Sequence, residues 1–185
     1  LPELIQRFRD RHPDVAVDIQ MGSVQEVYRW VREDKVDMCF ASHQEGGNFD
    51  WIHLRNDPLL AILPPGYDLR GCSSLPVSRL EGLDFLMPSL GFHLDIMRAL
   101  GDVKPNIQQT HVNDSVIISM VEHGLGVSIL SELVLRGRRD NVVAVPLDPP
   151  AVRELGIAVR SKKELRPIAR RFITETKEIL ENIPL

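Results

Sequence analysis

Apolar residues recur at helical spacing from the first residue of the chain. Leu1, Leu4, Ile5 and Phe8 share one face, Pro2 suits a first helical turn, and His12–Pro13 ends the run. The period then changes. Val15, Val17, Ile19 and Met21 alternate with Ala16, Asp18 and Gln20, which predicts a strand with two distinct faces. Gly22 turns the chain. Ser23 with Glu26 has the spacing of a capping box and predicts a second helix with Val24, Val27, Tyr28 and Val31 inward. A short apolar run over 38–41 predicts a strand. A polar loop containing Gly46, Gly47 and Asn48 follows it. Two more strands are predicted over 51–54 and 59–63 before Pro64–Pro65–Gly66 breaks the chain.

A second set of elements follows. Ser78 and Glu81 predict another capping box around a short helix that Gly82 stops. The pattern then predicts a strand over 85–87, a helix over 92–100 and a strand over 107–112. Asn113 or Asp114 can cap a helix that Gly124 terminates in the left-handed conformation, with Leu125 folding back onto it. Gly126 keeps the junction tight, and 127–130 has the composition of a core strand. Ser131 can cap a short helix ending near Gly137. Strands are predicted over 142–147 and 155–160, on either side of Pro149–Pro150. Ser161 with Glu164 predicts a third capping box and a last helix with Ile168, Phe172, Ile179 and Ile183 inward.

Strands alternating with helices predict parallel α/β layers. The two proline breaks predict two α/β lobes, 1–64 with 150–185 and 65–149, joined by two crossing segments with a cleft between them. The first helix has an apolar face and no strand before it, so a further strand is expected upstream of residue 1. Composition narrows the function. With 185 residues, 43% hydrophobic and 26% charged, the chain can bury a core. Its net charge of −4 argues against direct contact with DNA. No apolar run is long enough to span a membrane. Cys39 reads as a small core residue and Cys72 as a loop residue, the pattern of two free thiols in a reducing cytoplasm. Six histidines are scattered without metal-ligand spacing, and no phosphate-binding glycine loop occurs, so no metal or cofactor is expected.

These motifs resemble the effector-binding domain of LysR-type transcriptional regulators. The likeness begins with Leu1–Pro2–Glu3–Leu4–Ile5 through Val15, and continues through Gly22–Ser23 and Val36–Asp37–Met38–Cys39–Phe40. It is most specific at Asp114–Ser115 with Met120–Val121–Glu122–His123–Gly124–Leu125–Gly126–Val127. Arg153–Glu154–Leu155–Gly156–Ile157–Ala158 and Arg171–Phe172 complete it. The resemblance implies a type 2 periplasmic-binding-protein fold that senses a small metabolite, expected to be anionic, in the inter-lobe cleft. It also implies a homodimer or homotetramer, and promoter DNA held only through an N-terminal winged helix-turn-helix outside this chain.

Three segments are expected at the cleft: Gly22–Ser23, Ser89 to His93, and Val112 to Ser115. Each lies at a predicted strand-to-helix turn, where ligands of α/β sheets collect and helix N–H groups suit an anion. The resemblance adds ligand contacts at or near Ser23, Met87, Pro88 and Val112. The last three are apolar, which suggests a less polar ligand than hydroxyl-bearing family members take. Ser23 and Asn113 also read as plain caps, and Ser89 as a turn residue. Phe92 reads as a lobe-core or cleft-wall aromatic rather than a specific reader. His93 and His111 are the unusual polar residues, and His123 belongs to a helix C-terminus. A regulatory domain is therefore the leading reading. A transporter's solute-binding component with the same fold is the alternative, and an enzyme is not expected.

Overall fold

The structure, a computed structural model, describes residues 1–44, 47–88, 93–136 and 141–181. The chain forms two compact units, one from Leu1–Arg55 with Leu155–Leu185 and the other from Asn56–Glu154. The Pro64–Pro65 and Pro149–Pro150 breaks both lie within the second unit.

In the first unit, α1 (Pro2–Arg11) buries Leu4 and Phe8, and α2 (Val24–Arg32) buries Tyr28 and Val31. The C-terminal helix α6 (Pro167–Glu181) meets α1 through an edge-on pair, Phe8 and Phe172, with ring centroids 4.8 Å apart. Strand β1 (Cys39–Ser42) pairs antiparallel with the end of β7 (Val143–Val159), Cys39 opposite Ala158. Tyr28, Val31, Cys39 and Ala158 make one apolar cluster. Ile52, Ile157, Val159 and Ile173 make another. Burial pushes the Cys39 thiol up to about 11 and raises the Tyr28 phenol, whose hydroxyl donates to the carbonyl of Ser42 at 3.0 Å.

The second unit is built on β2 (Asp50–Leu63), which enters from the first unit, and on β6 (Ser128–Ser131), its antiparallel partner from Leu59 to Ile62. Strand β3 (Leu75–Pro76) pairs with β7, and β4 (Asp84–Met87) pairs parallel with β5 (Asn106–Gln109). Helices α3 (His93–Leu100), α4 (Asp114–Glu122) and α5 (Glu132–Leu135) complete the unit. Two cores lie on opposite faces of the strands. Leu63, Phe85, Met87 and Ile129 enter one, while Ile62, Leu86 and Leu130 enter the other with Ile117, Ile118 and Val121 of α4. Strand side chains alternate faces, so strands covered on both sides read as unbroken apolar runs.

Several expectations need correction. The segment 15–21 keeps its alternation but joins no ladder among the described residues, leaving Ile19 55% and Met21 84% exposed. Alternation states which faces a segment can offer, whereas a strand also requires a pairing partner. The strands expected over 51–54 and 59–63 are one element, β2, and those over 142–147 and 155–160 are one element, β7. The layers are mixed rather than wholly parallel. Ser78 and Glu81 form no capping box. A 3₁₀ turn (Val77–Leu80) starts after Pro76, and the Glu81 carboxylate accepts from the Lys104 N–H at 2.7 Å. Glu164 pairs with Arg160, and α6 begins only at Pro167. Its buried residues are Ala169, Phe172, Ile173, Glu175, Thr176 and Ile179, with Ile168 37% exposed. Gly46, Gly137 and Ile183 lie outside the described residues.

Candidate functional site

The predicted turn residues fall into two groups, one in each unit. In the first unit Ser23 is the N-cap of α2, with Gly22 exposed just before it. The box is complete. The Glu26 N–H donates to Ser23 Oγ at 3.3 Å, and the Ser23 N–H and hydroxyl both donate to Glu26 Oε2 at 2.8 Å. These bonds, the backbone one first, lower the pKa of the Glu26 carboxyl. A ligand using the Ser23 hydroxyl as a donor must therefore draw it from Glu26.

In the second unit the parallel pair β4–β5 brings two predicted segments to one edge. Met87 sits opposite Gln109 in the register, and the Thr110 hydroxyl donates to the carbonyl of Met87 at 2.8 Å. Met87 and Pro88 thus end one strand beside the turn carrying His111, Val112 and Asn113. Met87 is fully buried in the core and Pro88 is buried, so at this position Met87 supplies mainly structural support. His111 is exposed, and Val112 is half-buried against the α4 core. His93 is exposed as the first residue of α3. Ser89 and Phe92 lie outside the described residues.

Asn113 caps α4: its Oδ1 accepts from the Val116 N–H at 3.1 Å. The opposite end closes as a Schellman motif, with Gly124 N–H donating to Val121 O at 2.9 Å and Leu125 N–H to Met120 O at 3.0 Å. Gly124 has φ +73° as this motif requires. Leu125 is 56% exposed, so the expected apolar fold-back is not buried. Gly126 has φ +158°, and a Cβ there would lie 2.7 Å from the Asp84 carbonyl oxygen. His123 Nδ1 bonds the carbonyl of Ser119 at 2.8 Å, a local role within the helix end.

Sequence reasoning missed a buried polar cluster in the second unit. Asp57, fully buried, accepts from Arg153 Nε at 2.9 Å and from the Leu133 N–H at 3.1 Å, and Arg153 Nη2 lies 2.8 Å from its Oδ2 as the ion pair. Arg153 also donates to Ser131 Oγ at 3.0 Å, so that hydroxyl serves the ion pair while α5 has no side-chain cap. The available signal was a carboxylate just before the apolar run 59–63 of the same strand. A second missed group lies in the first unit, where buried Glu175 of α6 meets His12, Arg171 and Arg11. Among the described residues, no helix is long and apolar enough to cross a membrane, and no three His, Cys, Asp or Glu side chains are placed to hold a metal ion.

Comparison with known proteins bears on what these turns do. The family model of the LysR substrate binding domain matches residues 1–181. The chain is 29% identical over 185 residues to the uncharacterized HTH-type transcriptional regulator YvbU of Bacillus subtilis, covering 97% of this chain and 62% of that protein. It is 24% identical over 190 residues to the Hca operon transcriptional activator HcaR of Escherichia coli, covering 99% of this chain and 64% of that protein. The chain thus spans less than two thirds of the length of these curated relatives. The regulatory domain of Synechocystis CcmR, solved with 2-PG, superposes with a TM-score of 0.87 at 20% identity, covering 100% of this chain and 92% of that one. The effector binding domain of QuiR, solved with shikimate, gives 0.85 at 18% identity, covering 100% and 91%.

Proposed function

Because the chain belongs to the LysR substrate binding domain family, we propose that it is the ligand-sensing part of a bacterial LysR-type transcriptional regulator. The fold is that of effector-binding domains of the type 2 periplasmic-binding-protein kind. The observation that carries the reading is the family match across residues 1–181. The relatives it joins are named transcriptional regulators rather than transporter components or enzymes.

The effector is a small organic anion, and the residues proposed to contact it, taken unit by unit, are Gly22 and Ser23 in the first and Met87, Pro88, His93, His111, Val112 and Asn113 in the second. Two features support an anion: the N-termini of α2 and α4 both sit at these turns, and helix N–H groups favour negative charge. In this reading Ser23 and Asn113 supply polar contacts beside those N–H groups, and Val112 supplies apolar wall. Promoter DNA is contacted through the portion of such regulators that this chain does not span, in the cytoplasm, by a dimer or tetramer. The matched structures with small molecules bound support the role of a ligand.

The test is a thermal-shift screen of small organic acids against the chain, since a ligand that binds only the folded form raises its melting temperature. Any hit is then titrated against Ser23→Ala and Asn113→Asp, the second keeping a capping side chain. Affinity should fall about ten-fold or more in at least one variant, the loss expected when a charge-assisted bond is removed. Unchanged affinity in both would move the site elsewhere.

A further inference from the structure

One groove among the described residues involves none of the turn residues above. It runs between the end of α1 and the first half of α6, encloses about 800 Å³, and lies wholly within the first unit. Arg11, His12, Arg170 and Arg171 line it with Leu165 and Pro167, and Glu175 and Glu178 face the same space. Three arginines against two carboxylates leave it cationic, although the chain as a whole carries −4.

The contacts at Glu175 show which charges are already committed. His12 Nε2 lies 2.8 Å from Glu175 Oε1, a close hydrogen-bond contact for a carboxylate whose side chain is 9% exposed. The arginines engage it weakly: Arg171 Nε at 3.3 Å from the same oxygen, and Arg11 Nη1 at 3.4 Å from the other. Neither forms the parallel two-bond fork that guanidinium makes with an oxyanion. A guanidinium carries five N–H donors, and each of these two spends one on Glu175. Their remaining donors lie on residues that line the groove. Arg170 reaches back by Nη2 to the carbonyl of Lys162 at 3.3 Å. Leu165 and Pro167 add an apolar wall suited to a carbon skeleton.

We infer that this groove is a second binding site, which takes a small organic oxyanion, a carboxylate or a phosphate ester, on the free guanidinium edges of Arg11 and Arg171. Glu175, in contact with His12 at 2.8 Å, takes one long bond from each arginine and leaves both forks open. The inference does not depend on the effector proposed above.

Succinate and inorganic phosphate serve as probes in isothermal titrations of the whole chain at low ionic strength, with matched potassium chloride as the control. At least one probe should saturate at one site per chain, and chloride should not. The double variant Arg11→Gln with Arg171→Gln should weaken that binding about ten-fold or more. Arg171→Lys keeps the charge but loses the fork, and should weaken it by about three-fold or more with an unchanged circular dichroism spectrum. If the double variant does not fold, the lysine variant carries the test. Ser23→Ala should leave the binding unchanged. No saturable binding to the native chain, or equal affinity in the folded arginine variants, would overturn the inference. Loss of binding in Ser23→Ala alone would overturn it as well, while supporting the effector site.

Discussion

Replacing Arg153 by methionine should destabilise the chain far more than replacing any exposed ion-pair partner. In the native protein Arg153 gives Asp57 a hydrogen bond at 2.9 Å and an ion-pair contact at 2.8 Å, and gives Ser131 a hydrogen bond at 3.0 Å. Methionine fills much of the same volume and donates nothing. Asp57, at 0% exposure, then keeps only the Leu133 N–H at 3.1 Å. Breaking one side of a buried ion pair typically costs about 3–5 kcal/mol, because the other charge is left buried and uncompensated. At about 2–4 °C per kcal/mol for a chain of this size, the melting temperature should fall by about 6–20 °C. The assay is urea unfolding followed by circular dichroism, with the melting temperature measured in parallel. Two controls separate charge from packing. Asp57→Leu combined with Arg153→Met removes both charges and should recover much of the loss, since well-packed apolar replacements of buried pairs are often neutral. Glu3→Ala removes the exposed pair with Arg7 and should cost less than about 1 kcal/mol. A cost below about 1 kcal/mol for Arg153→Met, or a double variant as unstable as the summed singles, would refute this reasoning.

Three further outcomes are expected. Glu175 is pushed up by burial, but hydrogen bonds from His12 and Arg171 outweigh that and hold its pKa below the usual 4.5. A depressed folded pKa gives stability that is present above about pH 4.5 and lost as the pH falls through the folded value. Glu175→Gln should therefore be less stable than the native chain at pH 7, and denaturation curves should show the difference narrowing in acid. A constant difference from pH 7 to pH 3 would contradict this. Gly124→Ala meets no atom within 4 Å and should cost about 1 kcal/mol from its left-handed backbone alone. Gly126→Ala also meets the Asp84 carbonyl and should cost about 2 kcal/mol or more, so equal urea midpoints would count against the close approach. A thiol reagent at pH 8 should titrate exposed Cys72 quickly, and Cys39, buried with a pKa of about 11, only after unfolding.

Local rules could be read where one interaction decides the outcome. Among the described residues no other hydrogen bond competes for the Glu26 carboxylate, so Ser23 with Glu26 formed its box, and Asn113 and Gly124 bounded α4 through their own local bonds. The same spacing misled at Ser78 with Glu81, where the Lys104 backbone captures the carboxylate, and at Ser161 with Glu164, where Arg160 does. A better signal for α6 was Pro167 itself, whose fixed φ suits a first helical turn. Strand β2 read as two pieces because Arg55, Asn56, Asp57 and Pro58 interrupt its apolar run. Asp57 belongs to an ion pair whose other half is distant in sequence, and no periodicity reports that. Ile168 was assigned inward on a periodic count one position out of phase with the buried face. At the candidate site, the turns could be read from their caps. The burial of Met87 could not, because an apolar residue at a strand end has the same letter whether it faces a core or a ligand.

The two ends of α4 differ in how freely they can change. Gly124 sits at +73°, where other residues are strained. Asn113 is held to its place by one acceptor oxygen, and serine, threonine or aspartate can supply an equivalent one. These four side chains stop the helix almost equally well but present different donors, acceptors and charge to whatever approaches the turn. A lineage can therefore exchange this residue with little loss of stability and change what the turn recognises. The helix cap is thus a position where chemical preference can drift while the architecture stays fixed.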